Sequence, residues 1–567
     1  MRPFLVTELQ AGKLPRWGLL LLCLLYTLPG FIGRDPWRHD DAAEFGIALT
    51  MARGSAQDWL MPGIAGEPAY DTGPLPFWIG ALFARALPMV SEHTAVRTAA
   101  AAGIALMFVA FWYAAYALLK RPGLMPSDPF GASASRIDFG RALADSALLV
   151  LMATLGVIAR VHETTAQAAQ LTIGAIFLFG AAIALERPLR GGLVAGAAIG
   201  ATVMTRGLMP AAALVACACL VPLLSPAYRL VASRWLPATL GVGVLASAAW
   251  PVALALSGQA GQAHLARWLD WNLGQMLPLS AYGAAYLART LPWAFWPAWP
   301  IAIWALLRWR GRLAEPAAAL PLCSLAGAAV VALVTTSSPE KHLLALALPL
   351  AMLAAIGLPT LARSVVSLID WFAVMTYSLI GIVVWGYWIA LVTGFPPRMA
   401  YRAARTAPGF EPTGIALDIA LGVLATAAWV LLVRWRISRQ PPMIWRAVVL
   451  SSGGLVLAWF LLMTLWLPAF NNRSTYREVS RQAAAALAPG YDCVTTVDLG
   501  RAQRASLYYF GGIRFGARDE RCEWLLRQET GPLARTAAAP ERGWELRWEG
   551  SRPRDNDERL RLYRRTH

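Results

Sequence analysis

The sequence predicts a mainly α-helical, polytopic membrane protein with about 13 transmembrane helices and a small α/β domain at its C-terminus. Hydrophobic residues make up 57% of the 567 residues and charged residues only 15%, and the mean hydropathy is +0.49. The hydrophobic residues fall into runs of about 17 to 25, the length that crosses the roughly 30 Å hydrocarbon core of a bilayer. A soluble domain cannot bury that much apolar surface.

The predicted spans follow one another along residues 1–469, which we assign to a transmembrane domain. The first apolar run comes after the basic residues Arg2, Lys13 and Arg16 and shows no convincing cleavage site. It is therefore predicted to be an uncleaved helix with its N-terminus in the cytoplasm. In chain order the spans cover residues 17–33, 95–119, 142–160, 165–185, 189–205, 208–225, 236–257, 291–308, 318–336, 342–360, 367–393, 414–434 and 444–467.

One further apolar segment, residues 75–91, decides on which side of the membrane the C-terminus lies. If it spans, the number of spans is even and the C-terminus is cytoplasmic; if it lies in the interface, the C-terminus is outside. Loop charge favours the second arrangement, because it places most of the short arginine-rich loops in the cytoplasm. Of the loops that are then outside, only residues 394–413 are clearly basic.

Residues 470–567 are polar and are predicted to form a soluble α/β domain, called the C-terminal domain below. Strand-like runs lie at 493–497 and 506–510, and a helical stretch lies near 477–487. Cys493 and Cys522 are candidates for a disulfide if this domain is outside the cytoplasm. The alternative is a pair of free thiols.

The net charge of +17 does not indicate a nucleic-acid partner. The charge does not form one patch. Most of it lies in short loops between hydrophobic runs, where the positive-inside rule expects it, and the rest is spread over the C-terminal domain.

The first predicted outside loop places four carboxylates close to a membrane surface, those of Asp40, Asp41, Glu44 and Asp71. Paired carboxylates in such a place can act as a general base, bind a metal or orient a hydroxyl group. The alternative is a solvated loop with helix-capping acids. Amphipathic stretches at 45–53 and 74–87 would hold this loop against the bilayer, which favours the functional interpretation.

Three further polar features interrupt the apolar runs. His162 and Glu163 lie between two spans, Arg206 is flanked by apolar residues, and Lys341 and His342 open an apolar helix. Lys341 and Arg206 could bind phosphate, since charged donors favour phosphate oxygens. The alternatives are anchoring at the interface and snorkelling to the membrane surface.

The order of these motifs resembles that of the GT-C membrane glycosyltransferases. Among these it resembles the bacterial aminoarabinose lipid A transferases and the protein O-mannosyltransferase-like proteins. The resemblance is carried by Asp40-Asp41, the stretch from Asp58 to Pro62, the pattern from Tyr70 to Trp78, Thr205-Arg206-Gly207, Leu291-Pro292-Trp293 and Lys341. It covers most of the chain.

This resemblance implies a GT-C-like catalytic domain over 1–469, with a periplasmic first loop over 34–94, and a periplasmic domain over 470–567 in a bacterial inner membrane. It implies an inverting transfer of a monosaccharide from a polyprenyl phosphate, such as undecaprenyl phosphate, to a periplasmic acceptor. Lipid A or lipopolysaccharide is the leading acceptor, and membrane lipid is a further partner.

The resemblance also implies roles for individual residues. Asp40 matches the catalytic carboxylate of the family, and Asp41 the second acidic position. The substrate-binding candidates are Asp71, Thr72, Arg97, His162, Glu163, Arg206, Lys341 and His342. A divalent cation, held by Asp40 and Glu163, is left open.

The sequence departs from the family where the donor phosphate is bound. The phosphate-binding lysine of the family is Thr72 here, and the first of two prolines is Gly73. The second acidic site is represented only by His162 and Glu163, and the tyrosine expected after the lysine of the later helix is missing. The phosphate is therefore expected to be held differently, by Arg206, Arg97 or Lys341.

Other functions stay open at this stage. The acceptor could be a protein hydroxyl or another envelope glycan. A transporter would bind its substrate near the bilayer midplane on broken helices, whereas the polar clusters here lie at one membrane face. A non-catalytic protein that binds polyprenyl lipid is the remaining alternative, because the expected lysine and tyrosine are absent.

Overall fold

The computed structural model describes residues 7–37, 39–121, 123, 134–275, 281–335, 340–412, 415–438, 443–516, 521–536, 543–553 and 555–566. Helices dominate this part of the chain. They are α1 (Arg16–Thr27), α2 (Asp40–Arg53), α3 (Ala56–Leu60), α4 (Leu75–Ala86), α5 (Glu92–Leu119), α6 (Arg136–Ala153), α7 (Leu155–Val161), α8 (Ala166–Ala184), α9 (Pro188–Arg206), α10 (Leu208–Leu224), α11 (Pro226–Leu256), α12 (Gln259–Gly274), α13 (Ala281–Ala294), α14 (Ala298–Arg308), α15 (Pro316–Val334), α16 (Glu340–Leu343), α17 (Ala347–Gly357), α18 (Arg363–Thr393), α19 (Pro397–Thr406), α20 (Ala416–Ser438), α21 (Arg446–Leu465), α22 (Leu467–Ser474), α23 (Arg477–Ala485), α24 (Arg501–Phe510) and α25 (Pro532–Arg535). The strands are β1 (Gly63–Ile64), β2 (Glu67–Pro68), β3 (Val494–Val497), β4 (Trp524–Thr530), β5 (Trp544–Gly550) and β6 (Glu558–Arg565).

The chain is a multi-pass membrane protein. Among the described residues, eight helices are long and apolar enough to cross a bilayer, and the pair α6–α7, bent by 73°, makes a ninth candidate. The shorter apolar helices are α1, α4, α10 and α14. Each predicted span overlaps a helix or this bent pair. The exact number of 13 spans and the orientation in the membrane stay predictions.

The segment that decides the topology forms helix α4, which has only 12 residues. A helix of that length is about 18 Å long, too short for a hydrocarbon core of roughly 30 Å. Phe77, Gly80 and Ala81 of this helix are buried, in one core cluster with residues of α2 and α5. This packing agrees with a helix at the membrane surface.

Helix α2 lies between the membrane helices and the C-terminal domain. It was expected to have an amphipathic stretch over 45–53, but residues 45–51 are all buried. The reason is that α4 covers one side of the helix and α24 covers another. A Cβ added at Gly46 would lie 2.4 Å from Cβ of Ala505, so glycine permits this close approach of α24.

The described part of the C-terminal domain contains a four-stranded sheet in the order β3-β4-β6-β5. The pair β3–β4 is parallel and the other two pairs are antiparallel. Val479 of α23, Leu507 of α24 and Leu526 of β4 belong to its own hydrophobic core. A disulfide joins Cys493 to Cys522, just before β3 and β4.

One predicted strand in this domain is wrong. Residues 506–510 belong to helix α24, whereas the strand expected at 493–497 and the helix near 477–487 correspond to β3 and α23. Ala502, Ala505 and Tyr509 have the spacing of one helix face, and the last two contact α2. A window of five residues is too short to separate this spacing from strand alternation.

Replacing Cys493 and Cys522 with alanine is expected to lower the free energy of unfolding of the C-terminal domain by about 3 kcal/mol, because the disulfide closes a loop of 29 residues. Thermal unfolding of the purified protein in detergent measures this loss. The remaining cysteines, Cys23, Cys217, Cys219 and Cys323, are free. Mass spectrometry after alkylation of the denatured chain should therefore count four labels before reduction and six afterwards. Six labels before reduction would contradict the disulfide.

Candidate active site

The start of helix α2 turns its two aspartates in different directions. Asp40 and Asp41 are successive residues of the helix, so their side chains point about 100° apart. Asp41 is buried, with 3% of its surface exposed, whereas Asp40 is half-buried. The two carboxylates predicted to share the chemistry therefore have different surroundings.

Asp41 is the centre of a buried hydrogen-bond network. Its Oδ2 accepts from Nη2 of Arg97 at 2.8 Å and from Nη2 of Arg34 at 3.3 Å. Its Oδ1 accepts from the backbone N and from Oγ1 of Thr164, at 2.9 and 3.0 Å. Burial opposes the charged form, but Arg97, Arg34 and the Thr164 N–H hold the pKa of Asp41 well below its usual value. Both oxygens are occupied, so Asp41 positions its neighbours.

Arg97 is also part of this network and does not reach a substrate. Its guanidinium is buried and donates from Nη1 to the carbonyl oxygen of Gly30 at 3.0 Å. Its Nε donates to Nε2 of His93 at 2.7 Å. The phosphate-binding role predicted for Arg97 does not fit this placement, because its donors are used inside the protein.

His162 lies behind the same network. The side chain is fully buried, with Nδ1 2.5 Å from the carbonyl oxygen of Ile158 and Nε2 2.7 Å from that of Tyr26. No ring nitrogen is left to contact a substrate. The ring packs against Phe31 and Trp459, so His162 helps to fix the turn between α7 and α8.

Asp40 faces a different cluster of charges. Its carboxylate makes no hydrogen bond or ion pair with any residue that the structure describes. Glu44 is four residues further along the same helix face, and its Oε2 accepts from the backbone N of Ala166 at 2.6 Å, at the start of α8. Burial raises the pKa of Glu44 to about 7, although the Ala166 N–H and the charge of Arg206 oppose the shift.

Arg206 is a buried cation that contacts no carboxylate in the part of the chain that the structure describes. It is the last residue of α9, and 3% of its surface is exposed. Within the described ranges its Nε has no hydrogen-bond partner. The carboxylates whose charges act on it are those of Glu44, Asp71 and Asp40. An arginine in this state is ready to bind an anion, since burial of an unpaired charge is costly.

The segment around Thr72 closes the end of α9. Thr72 is buried, and its Oγ1 donates to the carbonyl oxygen of Thr205 at 3.2 Å. The backbone N of Gly73 donates to the same oxygen at 3.3 Å. The last carbonyl groups of a helix lack partners within the helix. Thr72 therefore satisfies the helix end, and the substrate contact predicted for its side chain does not fit.

Lys341 and His342 lie at the start of the span Glu340–Thr360. Lys341 is half-buried, and its charge acts on Asp71 and Glu44. His342 is buried and lines a small cavity of about 50 Å³ between membrane helices. Polar side chains of Gln170, Thr202 and Ser324 lie along the same cavity. Nδ1 of His342 has no hydrogen-bond partner among the described residues.

Asp71 joins this cluster from the loop before α4. Its Oδ1 accepts from Nη1 of Arg501 at 2.5 Å, and Arg501 is the first residue of α24 in the C-terminal domain. Burial opposes the charged form, but the charges of Arg501 and Lys341 hold the pKa of Asp71 below its usual value. Arg501 has no motif that marks it in the sequence, because its partner is 430 residues away.

The residues present do not fit the divalent cation that was left open. Among the described residues, no group of three or more His, Cys, Asp or Glu side chains could hold a metal ion. Glu163 forms an ion pair with Arg160 at 3.4 Å. The other charges that act on it are those of Asp41 and Arg34, in the buried network. No chemical step is therefore assigned to a metal held by Asp40 and Glu163.

The predicted residues thus divide into two groups. Asp41, Arg97 and His162 form the support inside the protein, next to Glu163. The candidate site itself contains Asp40, Glu44, Asp71, Arg206, Lys341 and Arg501. It lies at the ends of membrane helices that face the C-terminal domain, as the contact of Arg501 with Asp71 requires.

Fold and site together define a polytopic membrane protein with a charged cluster where its helix ends meet the C-terminal domain. Two crystal structures of ArnT from Cupriavidus metallidurans have this fold, one bound to undecaprenyl phosphate and one in the apo state. Both have a TM-score of 0.67 and cover 96% of this chain and 97% of the ArnT chain, at 15% and 14% sequence identity. The GT-C fold predicted from the resemblance is confirmed. No protein-family model and no curated protein matches the sequence.

Asp41→Asn is expected to destabilise the protein by about 3 to 5 kcal/mol, because Arg97 and Arg34 would stay buried without a counter-charge. Asp40→Asn is the matched control, since it changes the adjacent residue in the same way. It is expected to change stability by less than about 0.5 kcal/mol. Thermal unfolding of both variants in detergent checks this difference. Equal melting temperatures for the two would contradict the network.

Proposed function

We propose that the chain is an inverting glycosyltransferase that moves a monosaccharide from a polyprenyl phosphate to an acceptor, with lipid A or lipopolysaccharide as the leading acceptor. The observation that carries the proposal is the carboxylate of Asp40, which has no partner among the described residues, in one cluster with the buried Arg206, whose Nε has no partner among them either. The fold shared with ArnT, which binds undecaprenyl phosphate in one crystal structure, supports the choice of a polyprenyl phosphate.

The phosphate of the donor is assigned to Arg206 and Lys341. Phosphate oxygens accept strong, charge-assisted hydrogen bonds from guanidinium and ammonium groups. When the bond between the sugar and the phosphate breaks, negative charge grows on the departing phosphate. Fixed cations in a site that excludes water stabilise this charge most, because they need no reorganisation.

The acceptor hydroxyl is assigned to Asp40. The acceptor oxygen forms a bond to the anomeric carbon, and the bond from that carbon to the phosphate oxygen breaks. The electron pair leaves with the polyprenyl phosphate, and Asp40 takes the hydroxyl proton as general base. If the acceptor group is itself a phosphate, Asp40 only orients it. Direct displacement inverts the configuration at the anomeric carbon.

The small apolar cavity beside His342 marks where the lipid chain of the donor would begin. It lies among membrane helices next to Lys341, and apolar residues such as Leu171, Leu348 and Val331 form most of its lining. A donor phosphate bound by Arg206 and Lys341 would place the start of its lipid chain beside this cavity. The lipid would thus hold the reactive carbon in place, which contributes proximity to the reaction.

The orientation proposed for this reaction places the N-terminus in the cytoplasm and the C-terminal domain in the periplasm of a bacterium, with the chain in the inner membrane. The charge of the predicted cytoplasmic loops supports it. The site then faces the periplasm, because it lies on the same side as the C-terminal domain.

Asp40→Asn is expected to abolish transfer while the protein still folds, because the amide cannot accept the proton. Mass spectrometry of lipid A and of total envelope glycans should compare cells that lack the chain with cells that carry the wild-type or the variant. A sugar mass on lipid A that only the wild-type chain restores would support the proposal. A change in a glycoprotein or another glycan instead would move the acceptor, and normal transfer by the variant would contradict the role of Asp40.

The ionisation of Glu44 is expected to make KM for the donor depend on pH. Its pKa of about 7 means that it gains a negative charge as the pH rises from 6 to 8. That charge competes with the donor phosphate for Arg206, so KM for the donor should rise roughly fivefold, which corresponds to about 1 kcal/mol. Glu44→Gln should remove this rise.

The matched control for this experiment is Glu163→Gln. Burial also raises the pKa of Glu163 to about 7, but this residue lies beside Asp41 and Arg160. The control variant should keep the pH dependence of KM, measured in transfer assays in detergent. If Glu163→Gln removes the dependence and Glu44→Gln keeps it, Glu44 is not the group that titrates.

A further inference from the structure

We propose that Arg501 of the C-terminal domain binds the phosphate of the donor, so that this soluble domain forms one wall of the site. The inference rests on the proposed function, because it takes a polyprenyl phosphate as the ligand. Arg501 would supply the positive charge that the family places on a lysine at the position of Thr72.

The segment next to Asp71 has no room for the missing cation. The side chain of Thr72 is buried against the end of α9, where its hydroxyl donates to the carbonyl of Thr205. A Cβ added at Gly73 would lie 2.1 Å from the carbonyl oxygen of Met204. The backbone is thus pressed onto α9, and a long basic side chain cannot replace Thr72 without moving it.

Arg501 brings a cation to the same place from the other side. Its Nη1 donates to Oδ1 of Asp71 at 2.5 Å. The side chains are 39% and 31% exposed, so the ion pair is only partly covered by protein. Arginine offers five N–H groups in a planar fork, and one bond to Asp71 leaves an edge free for a phosphate.

The position of Arg501 is fixed by the packing of α24 on α2. Ala505 of α24 lies against Gly46, and Tyr509 packs edge-on against Phe45 with ring centroids 5.0 Å apart. Helix α2 also carries Asp40. The carboxylate assigned to the acceptor and the cation assigned to the donor are therefore held by two helices in direct contact.

A second ion pair between the C-terminal domain and the first loop provides a control. Arg477 of α23 pairs with Asp35 and is 44% exposed, close to the value for Arg501. Its partner is Asp35, away from Asp71. Arg477 donates two hydrogen bonds to Asp35, whereas Arg501 donates one to Asp71. Arg477→Gln should therefore weaken the docking of the domain at least as much as Arg501→Gln, without removing a phosphate contact.

Binding of undecaprenyl phosphate to the full chain in detergent, followed by tryptophan fluorescence, tests the inference. Undecaprenol, which lacks the phosphate, is the control ligand. Arg501→Gln should weaken binding of undecaprenyl phosphate about tenfold, Arg501→Lys less, and Arg477→Gln little. In transfer assays Arg501→Gln should raise KM for the donor more than it lowers kcat.

The outcomes separate this inference from the proposed function. If the wild-type chain binds undecaprenyl phosphate and both glutamine variants bind it equally well, or equally poorly, Arg501 serves only to dock the domain. If the wild-type chain binds undecaprenol as tightly as undecaprenyl phosphate, the proposed function fails and the inference fails with it. If Arg501→Gln does not fold, Arg501→Met provides a second neutral variant, and unchanged binding by that folded variant together with unchanged KM overturns the inference.

Discussion

The buried ion pair between Asp41 and Arg97 fixes the geometry on which the site depends. Taking two charges out of water costs several kcal/mol per ion, and only close, fully hydrogen-bonded partners offset this. Asp41 meets that condition, because Arg97, Arg34 and Thr164 occupy both of its oxygens. The network joins α2 to α5 and to the start of α8. With Asp41 locked inward, the preceding residue, Asp40, can only face the open cluster of charges.

Two close backbone approaches complete this arrangement. Gly73 lets the loop that carries Asp71 lie on the end of α9, and Gly46 lets α24 lie on α2. The first contact brings the carboxylate of Asp71 close enough to Arg206 for their charges to interact. The second contact brings Arg501 to Asp71. The C-terminal domain therefore contacts the charged cluster through Arg501, and the helix on which it packs also carries Asp40.

The sequence predicted those features that depend on local composition and on motif order. Span length and hydropathy located the membrane helices, and the order of the motifs pointed to the correct fold. The resemblance distinguished Asp40 from Asp41, but the sequence did not show that Asp41 is buried as a partner of Arg97, which lies 56 residues further along the chain. It could not find Arg501, whose partner is 430 residues away. Residues 506–510 were misassigned as a strand, because the helical spacing of α24 is recognisable only from the residues that contact α2.

The charges of the site explain why donor binding and a proton should be coupled. The cluster contains the carboxylates of Asp40, Glu44 and Asp71 and the cations Arg206, Lys341 and Arg501. With Glu44 ionised these charges cancel, and with Glu44 protonated the cluster is positive by one. A donor phosphate adds negative charge, so it raises the pKa of Glu44 further above its free value of about 7. In the proposed reaction, donor binding at pH 7 is therefore expected to take up part of a proton at Glu44, which is about half protonated in the free site. The polyprenyl phosphate left after transfer is more negative and would keep Glu44 protonated until the lipid is released.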